Sequence, residues 1–281
     1  MSTARGTQRR ERPAPPPPEP LAVPVLDSHV HLDIVGSDGA GWSPAEQIAA
    51  ARAAGVDRLV QVGVDVASSA WSAALDHPEV VSTVALHPNE APRLADLDAA
   101  LTQIAALAHN PRVRAIGETG LDHFRTGPDG AKAQEHSFRA HIEIAKQAGK
   151  ALVIHDRDAH DGILRVLDDA GSPDCVVLHC FSGDAAYAAE CVRRGYVLSF
   201  AGTVTFKNAP HLREAAALTP LSQILVETDA PYLTPMPHRG APNASYLIPL
   251  TVRALAAARG MDVDTLCHAI SANGDRIFGP W

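Results

Sequence analysis

From Val25 onward the chain alternates two kinds of segment: short runs rich in Val, Ile and Leu, and Ala-rich stretches with apolar residues at helical spacing. The apolar runs predict strands at 25–32, 56–64, 80–86, 113–117, 151–154, 175–178, 196–200 and 224–226. Between and after them, helices are predicted at 44–54, 67–75, 93–108, 131–148, 159–170, 184–194, 210–218, 245–259 and 263–277. Ser43 stands where an N-cap belongs, Pro44 suits the first turn, and Gly55, Gly149 and Gly195 close helices. Strands joined by helical crossovers pair in parallel. Eight such units in this length predict an α/β fold, a distorted (β/α)8 TIM barrel, over a doubly wound sheet, because no glycine-rich phosphate fingerprint follows any strand.

Residues 1–24 break the alternation. Arg9, Arg10 and Arg12 precede the segment from Pro13 to Pro20, which contains four consecutive prolines. This composition predicts a disordered or polyproline tail, residues 1–24, ahead of a single domain at 25–281. A twin-arginine export signal is excluded because prolines and Glu19 stand where an apolar segment is required. No run approaches the roughly 18 apolar residues of a membrane span, so no membrane partner is expected. At 46% hydrophobic, the 281 residues suffice for one large core. The net charge of −8 argues against broad binding to duplex nucleic acid but leaves room for a local phosphate site carrying cations. Cys175, Cys180, Cys191 and Cys267 show no C-x-x-C spacing and are read as reduced thiols of a cytoplasmic protein, without structural zinc.

In a barrel, reactive side chains belong at the C-terminal ends of the strands. The first run ends in His29 and His31, which a strand would place on one face. Taken alone, the pair is equally well two polar residues at a strand end. The fourth strand runs into Glu118 and Asp122, the fifth ends at His155, the sixth at His179, and the eighth is followed by Asp229. Of the 14 histidines, His77, His109, His136, His141 and His268 are expected on helices or loops, away from this rim. Imidazole and carboxylate without thiolate suit zinc, manganese or similar divalent ions, and six ligands are too many for one open catalytic zinc. Two ions are the economical reading.

The segments D-S-H-V-H-L, G-E-T-G-L-D, V-I-H-D-R-D-A, H-C-F-S-G and E-T-D-A-P-Y-L-T-P, in this order, resemble the TatD family of metal-dependent deoxyribonucleases within the amidohydrolase-like barrels. The resemblance covers nearly all of 25–278. It implies two divalent ions, Zn, Mg or Mn, and hydrolysis of DNA phosphodiester bonds, 3′ to 5′ on single strands or 3′ ends, by a protein expected to be monomeric. By position, His29, His31 and Asp229 would hold one ion, His155 and His179 the other, and Glu118 would bridge them. Asp229, as proton acceptor, and Glu118 are the catalytic candidates. His87 and Arg157 match family positions suited to substrate, and Lys207 and Arg239 are further cations expected near the mouth. Asp122 is expected to fix the loop behind Glu118, Cys180 to be a buried structural thiol, and Asn273 and Arg276 to pack the last helix.

One departure is visible. After Arg239 and Gly240 the family pattern continues through Asn to Glu-Pro, whereas here Asn243 is followed by Ala244 and Ser245. That bears on substrate preference and not on the ligands. Two other functions remain in view: a metal hydrolase acting on an ester, amide or lactone, and a metal-binding scaffold without turnover. Phosphate-holding cations favour the nuclease over the first, and an intact ligand set argues against the second.

Overall fold

Parallel strands pair in sequence order around one sheet: β1 (Val25–Val30), β2 (Val56–Val62), β3 (Val80–Val84), β4 (Val113–Asp122), β5 (Ala151–Arg157), β6 (Val176–Leu178), β7 (Val197–Phe200) and β8 (Ile224–Val226). The computed structural model describes residues 13–35 and 42–281. Helices α1 (Leu32–Val35), α2 (Pro44–Ala53), α3 (Val66–Ala74), α4 (Leu97–Leu107), α5 (Pro128–Ala148), α6 (His160–Ala170), α7 (Ala185–Arg193) and α8 (Pro210–Leu218) lie between the strands, and α9 (Ile248–Arg259) and α10 (Val263–Phe278) follow β8. Apart from the short α1, each begins or ends within a few residues of its expected position. Ser43 forms a reciprocal capping box with Glu46, and Gly149 takes the left-handed conformation that closes α5. The strands are buried along most of their length, which is why they read as continuous apolar runs. No helix among the described residues is long and apolar enough to cross a membrane.

The seam between β8 and β1 is closed at the mouth. Asp229 N donates to His29 O and His31 N to Ala230 O, each at 2.9 Å. Below these bonds the buried Asp27 carboxylate accepts from Thr228 N (2.9 Å), Thr228 Oγ1 (2.5 Å), Ser245 Oγ (2.7 Å) and His29 N (3.2 Å). Burial lifts this carboxyl to about 6, against the pull of those four donors.

One expectation is corrected. β4 continues through Asp122 rather than stopping at Gly117, because Gly117 and Gly120, both at positive φ, let it run against β5 where any Cβ would collide. At Gly120 a Cβ would lie 2.1 Å from His155 O. The register steps from Ile116↔Leu152 to Thr119↔Ile154, so the extra residue forms a bulge at Glu118. Part of the segment expected to be a disordered or polyproline tail falls within the described residues. Residues 13–24 are docked, with Pro15 and Leu21 buried, Leu21 N donating to Ala54 O (3.1 Å) and the Tyr246 hydroxyl donating to Pro15 O (2.7 Å). A proline-rich segment loses little freedom on ordering and carries carbonyls without N–H groups, so it can accept side-chain donors and strand nothing. Residues 1–12, with Arg9, Arg10 and Arg12, lie outside the described residues.

His141 on α5 is buried and uses both ring nitrogens, accepting from Leu86 N (3.0 Å) and donating from Nδ1 to Ser137 O (2.7 Å). Burial pushes its pKa down to about 4.

Two stability predictions follow from these contacts. Asp27→Ala leaves buried donors unmet at the seam and should cost about 2–4 kcal/mol, a drop in Tm of roughly 5–15 °C, with Ser245→Ala costing about 1 kcal/mol. Scanning calorimetry of the three proteins measures this. Because His141 titrates lower folded than unfolded, its contribution is complete above pH 6.5 and is lost as pH falls toward about 4. Between pH 7 and pH 5, denaturant titration should show the parent losing about 2 kcal/mol more stability than His141→Gln.

Candidate metal centre

The bulge in β4 turns Glu118 into the barrel mouth, where the residue is only 4% exposed. Its two oxygens face different partners. Oε1 lies 3.5 Å from His29 Nε2 and 3.7 Å from His31 Nε2. Oε2 lies 2.7 Å from His179 Nε2, 3.1 Å from His155 Nδ1 and 3.8 Å from His87 Nε2. Asp229 Oδ1 approaches the first group, 3.8 Å from His29 Nε2 and 3.6 Å from His31 Nε2. Asp229 sits at φ 53°, a left-handed conformation that Asp tolerates better than most side chains. The six predicted ligands therefore converge, and among the described residues three overlapping sets have metal-holding spacing: His29, His31 and Asp229; His29, Glu118 and His179; and His87, Glu118 and His155.

The donor set fits divalent ions. Both ring nitrogens of the fully buried His29 lack a hydrogen-bond partner, which is costly unless something else meets them. Separations of 3.5–3.8 Å from His29 Nε2 to two carboxylates are long for hydrogen bonds but right for atoms sharing an ion at about 2.0–2.2 Å.

Each of the other ligand histidines is oriented by a group on its far side. His31 Nδ1 meets Val62 O at 3.1 Å, which leaves the Nε2 lone pair for the site. His179 Nδ1 meets the buried Glu227 Oε1 at 3.2 Å, and the same oxygen accepts from Cys180 N at 2.8 Å. His155 Nε2 faces Asp122 Oδ2 at 3.3 Å, so Nδ1 points inward. Asp122 also fixes its loop as expected, accepting from the backbone N–H groups of Phe124 and Arg125 and from Asn89 Nδ2. Glu227 is a functional residue that the sequence motifs do not single out. Its signal was present, a carboxylate two residues before Asp229 at the end of an apolar strand.

The charges are mutually dependent. Burial would raise Glu118, but His179, His87 and His29 hold it well below the usual carboxylate range. Burial would likewise raise Asp229, and its hydrogen bond to His31 and the neighbouring imidazoles bring it down. Burial opposes protonation of His31, His155 and His179, yet the carboxylates around them raise all three. His29 goes the other way, lowered by burial and by His179. Protons or divalent ions must therefore balance the carboxylates, and ions binding there displace protons.

The substrate candidates fall in different places. His87 Nδ1 accepts from Asn89 N at 3.0 Å, so in the neutral ring the proton is on Nε2, facing Glu118; burial keeps it neutral, with its pKa down at about 4. Despite its spacing, it is set up as a donor rather than a ligand. Arg157 is exposed, with its guanidinium carbon 4.6 Å from the Phe124 ring centroid. Asp156, the residue before it, is taken by His160 Nδ1 (2.8 Å) and the Tyr187 hydroxyl (2.7 Å). Arg239 lies over Phe206 at 4.4 Å. Lys207 is exposed beside a cleft of about 580 Å³ against α9, which none of the six ligand candidates lines. Cys180, expected to be buried, is half-buried just after β6 at φ 42°; desolvation and nearby carboxylates keep its thiol protonated. Ala244 is buried in a small apolar cluster with Ala54, Tyr246 and Leu247, while Asn243 Nδ2 ties the loop by donating to Thr228 O (3.0 Å) and Tyr232 O. Asn273 and Arg276 pack as expected, onto carbonyls at 221–224.

Known proteins share this architecture. A family model described as TatD related DNase matches residues 26–279. An uncharacterized metal-dependent hydrolase TatD of Mycobacterium tuberculosis is 44% identical, with 91% of this chain and 98% of that protein covered. The 3′-5′ ssDNA/RNA exonuclease TatD of Citrobacter rodentium is 36% identical, covering 83% and 91%. The crystal structure of a TatD homologue from Escherichia coli K12 superposes with a TM-score of 0.84 at 26% identity, covering 91% and 98%.

Glu227→Gln keeps the shape but weakens the acceptor behind His179. It should lower metal affinity about 10- to 100-fold, read by calorimetric titration of the stripped protein with Zn²⁺ or Mn²⁺.

Proposed function

The chain belongs to the TatD-related DNase family of metal-dependent hydrolases, and on that premise we propose that it is a deoxyribonuclease that removes nucleotides from single-stranded DNA in the 3′-to-5′ direction. The observation that carries this reading is the division of the Glu118 carboxylate, one oxygen toward His29 and His31 and the other toward His155 and His179. That division suits a bridge between two divalent ions, Zn, Mg or Mn, with Asp229 completing the first set. When bound, such ions acidify water and draw charge from a phosphoryl oxygen.

The protein's own groups would then do the following. Asp229, held in its ionised form, accepts the proton of the attacking water. His87, neutral and protonated on Nε2, donates a hydrogen bond to a non-bridging phosphoryl oxygen. Arg157 binds the phosphate from the rim, and its planar fork suits two oxygens at once. Lys207 and Arg239, further out on the loops after β7 and β8, meet neighbouring phosphates of the strand. The relative named as a 3′-5′ ssDNA/RNA exonuclease supports this assignment, and the cations favour it over ester, amide or lactone hydrolysis.

The test uses end-labelled single- and double-stranded DNA beside an ester and amide panel. Stripping the protein with a chelator should abolish hydrolysis, and reloading with Mg²⁺, Mn²⁺ or Zn²⁺ should restore it. Asp229→Asn should lower kcat by about 10²- to 10⁴-fold. Turnover of esters or amides with DNA untouched would transfer the assignment to carbon chemistry. DNA hydrolysis that persists after complete metal removal would overturn it.

A further inference from the structure

Among the described residues, four large apolar side chains are conspicuously exposed: Trp71, Phe124, Leu218 and Tyr232. Trp71 and Leu218 lie on the outer helices α3 and α8. Phe124, 64% exposed, and Tyr232, 52% exposed, stand at the mouth. Phe124 follows β4 and Tyr232 follows β8, strands separated by four positions in the eight-stranded ring and so on opposite rims. The candidate metal centre lies between them.

Both rings are held by the machinery they flank. Phe124 N donates to Asp122 Oδ1 at 3.0 Å, and Arg157 lies over the ring. Tyr232 N donates to Asp229 O at 2.8 Å, and its ring meets His31 edge-on with 6.3 Å between centroids. A phosphodiester in a single strand offers charge at its centre and a flat base on each side. The centre of this mouth suits the charge, and the rim presents one aromatic ring on either side.

We propose that Phe124 and Tyr232 are the stacking platforms for the two unpaired nucleobases that flank the scissile phosphate, an assignment that rests on the nuclease reading. Stacking on an aromatic face accepts any base, so the pair confers little sequence preference. A base paired and stacked within a duplex cannot offer its face to either ring. The pair therefore selects unpaired strands over duplex, whereas a metal centre reads only the phosphate. Arg157 contributes twice, through its charge toward phosphate and through its contact with the Phe124 ring.

The experiment crosses substitutions with substrate. Phe124→Leu, Tyr232→Leu and the ring-retaining Phe124→Tyr and Tyr232→Phe are compared on a short single strand, and on the same strand with abasic tetrahydrofuran residues on both sides of the scissile bond. Readouts are kcat/KM for the loaded enzyme and Kd for the stripped protein. Each leucine substitution should weaken the ordinary strand roughly 5- to 150-fold, mainly in KM and Kd, and the ring-retaining variants should stay near the parent. On the abasic strand, already poor with the parent protein, the leucine substitutions should add no further loss. Equal losses on both strands would mean that the rings act through folding or metal binding, and would overturn the proposal, as would no loss on either. A parent protein inert on every oligonucleotide would overturn the nuclease reading and this one with it. Hydrolysis that ignores the aromatic rings would overturn this one alone.

Discussion

A carboxylate buried at the mouth of an apolar barrel must be met by partners from the protein, since the cost of withdrawing its charge from water is several kcal/mol or more. Glu118 is met by five imidazoles, from His29, His31, His87, His155 and His179. They come from the ends of β1, β3, β5 and β6, so no local stretch of chain could assemble them. Only a sheet closed on itself brings those ends within reach of one side chain. Around Glu118 the imidazoles exceed the carboxylates, and the extra nitrogens of His29 stay unmet within the protein. The cluster is thus poised for cations, and the charge balance that stabilises it is also what binds metal.

The same residues close the barrel. Along β1 and at the residue just past its end, Asp27, His29 and His31 follow one another at two-residue spacing. Asp27 reaches across the seam to Thr228, His29 O accepts from Asp229 N, and the His31 ring faces the Asp229 carboxylate. The residues just past β8 answer one by one: Glu227 orients His179, Thr228 binds Asp27, and Asp229 faces the histidine pair. Fold closure and ligand placement therefore share one set of hydrogen bonds. A change at the seam would be felt at the metal centre even where no ligand is touched.

Much of this was legible in the linear chain because parallel strands announce themselves as apolar runs and their C-terminal ends carry the chemistry. His29, His31, His155, His179, Glu118 and Asp229 each follow or end such a run. What escaped depends on contacts distant in sequence. G-E-T-G reads as a loop, yet continues as strand, because the absence of two Cβ atoms lets β4 lie against β5. Glu227 looks like one more polar residue until β6 brings His179 beside it. The contacts of the proline segment could not be read from the sequence because they use side chains more than two hundred residues away, at Tyr246 and Arg253. The Ala244 departure likewise acquires meaning only from the apolar cluster that receives it.

The buried and exposed parts of the mouth obey different constraints. His31, His155 and His179 each make a second contact that fixes the ring, so replacing either partner leaves a buried polar group unmet. Phe124, Arg157 and Tyr232 stand largely in water. A chain with a net charge of −8 also repels a polyanion at long range, so attraction must be local, from bound cations and the few basic side chains at the rim. Catalytic power is thus tied to the core, where substitution is costly. Substrate choice is tied to a rim of aromatic and cationic side chains that can change without loss of the metal centre. One buried site can in this way serve barrels that differ in the strand, or the bond, they accept.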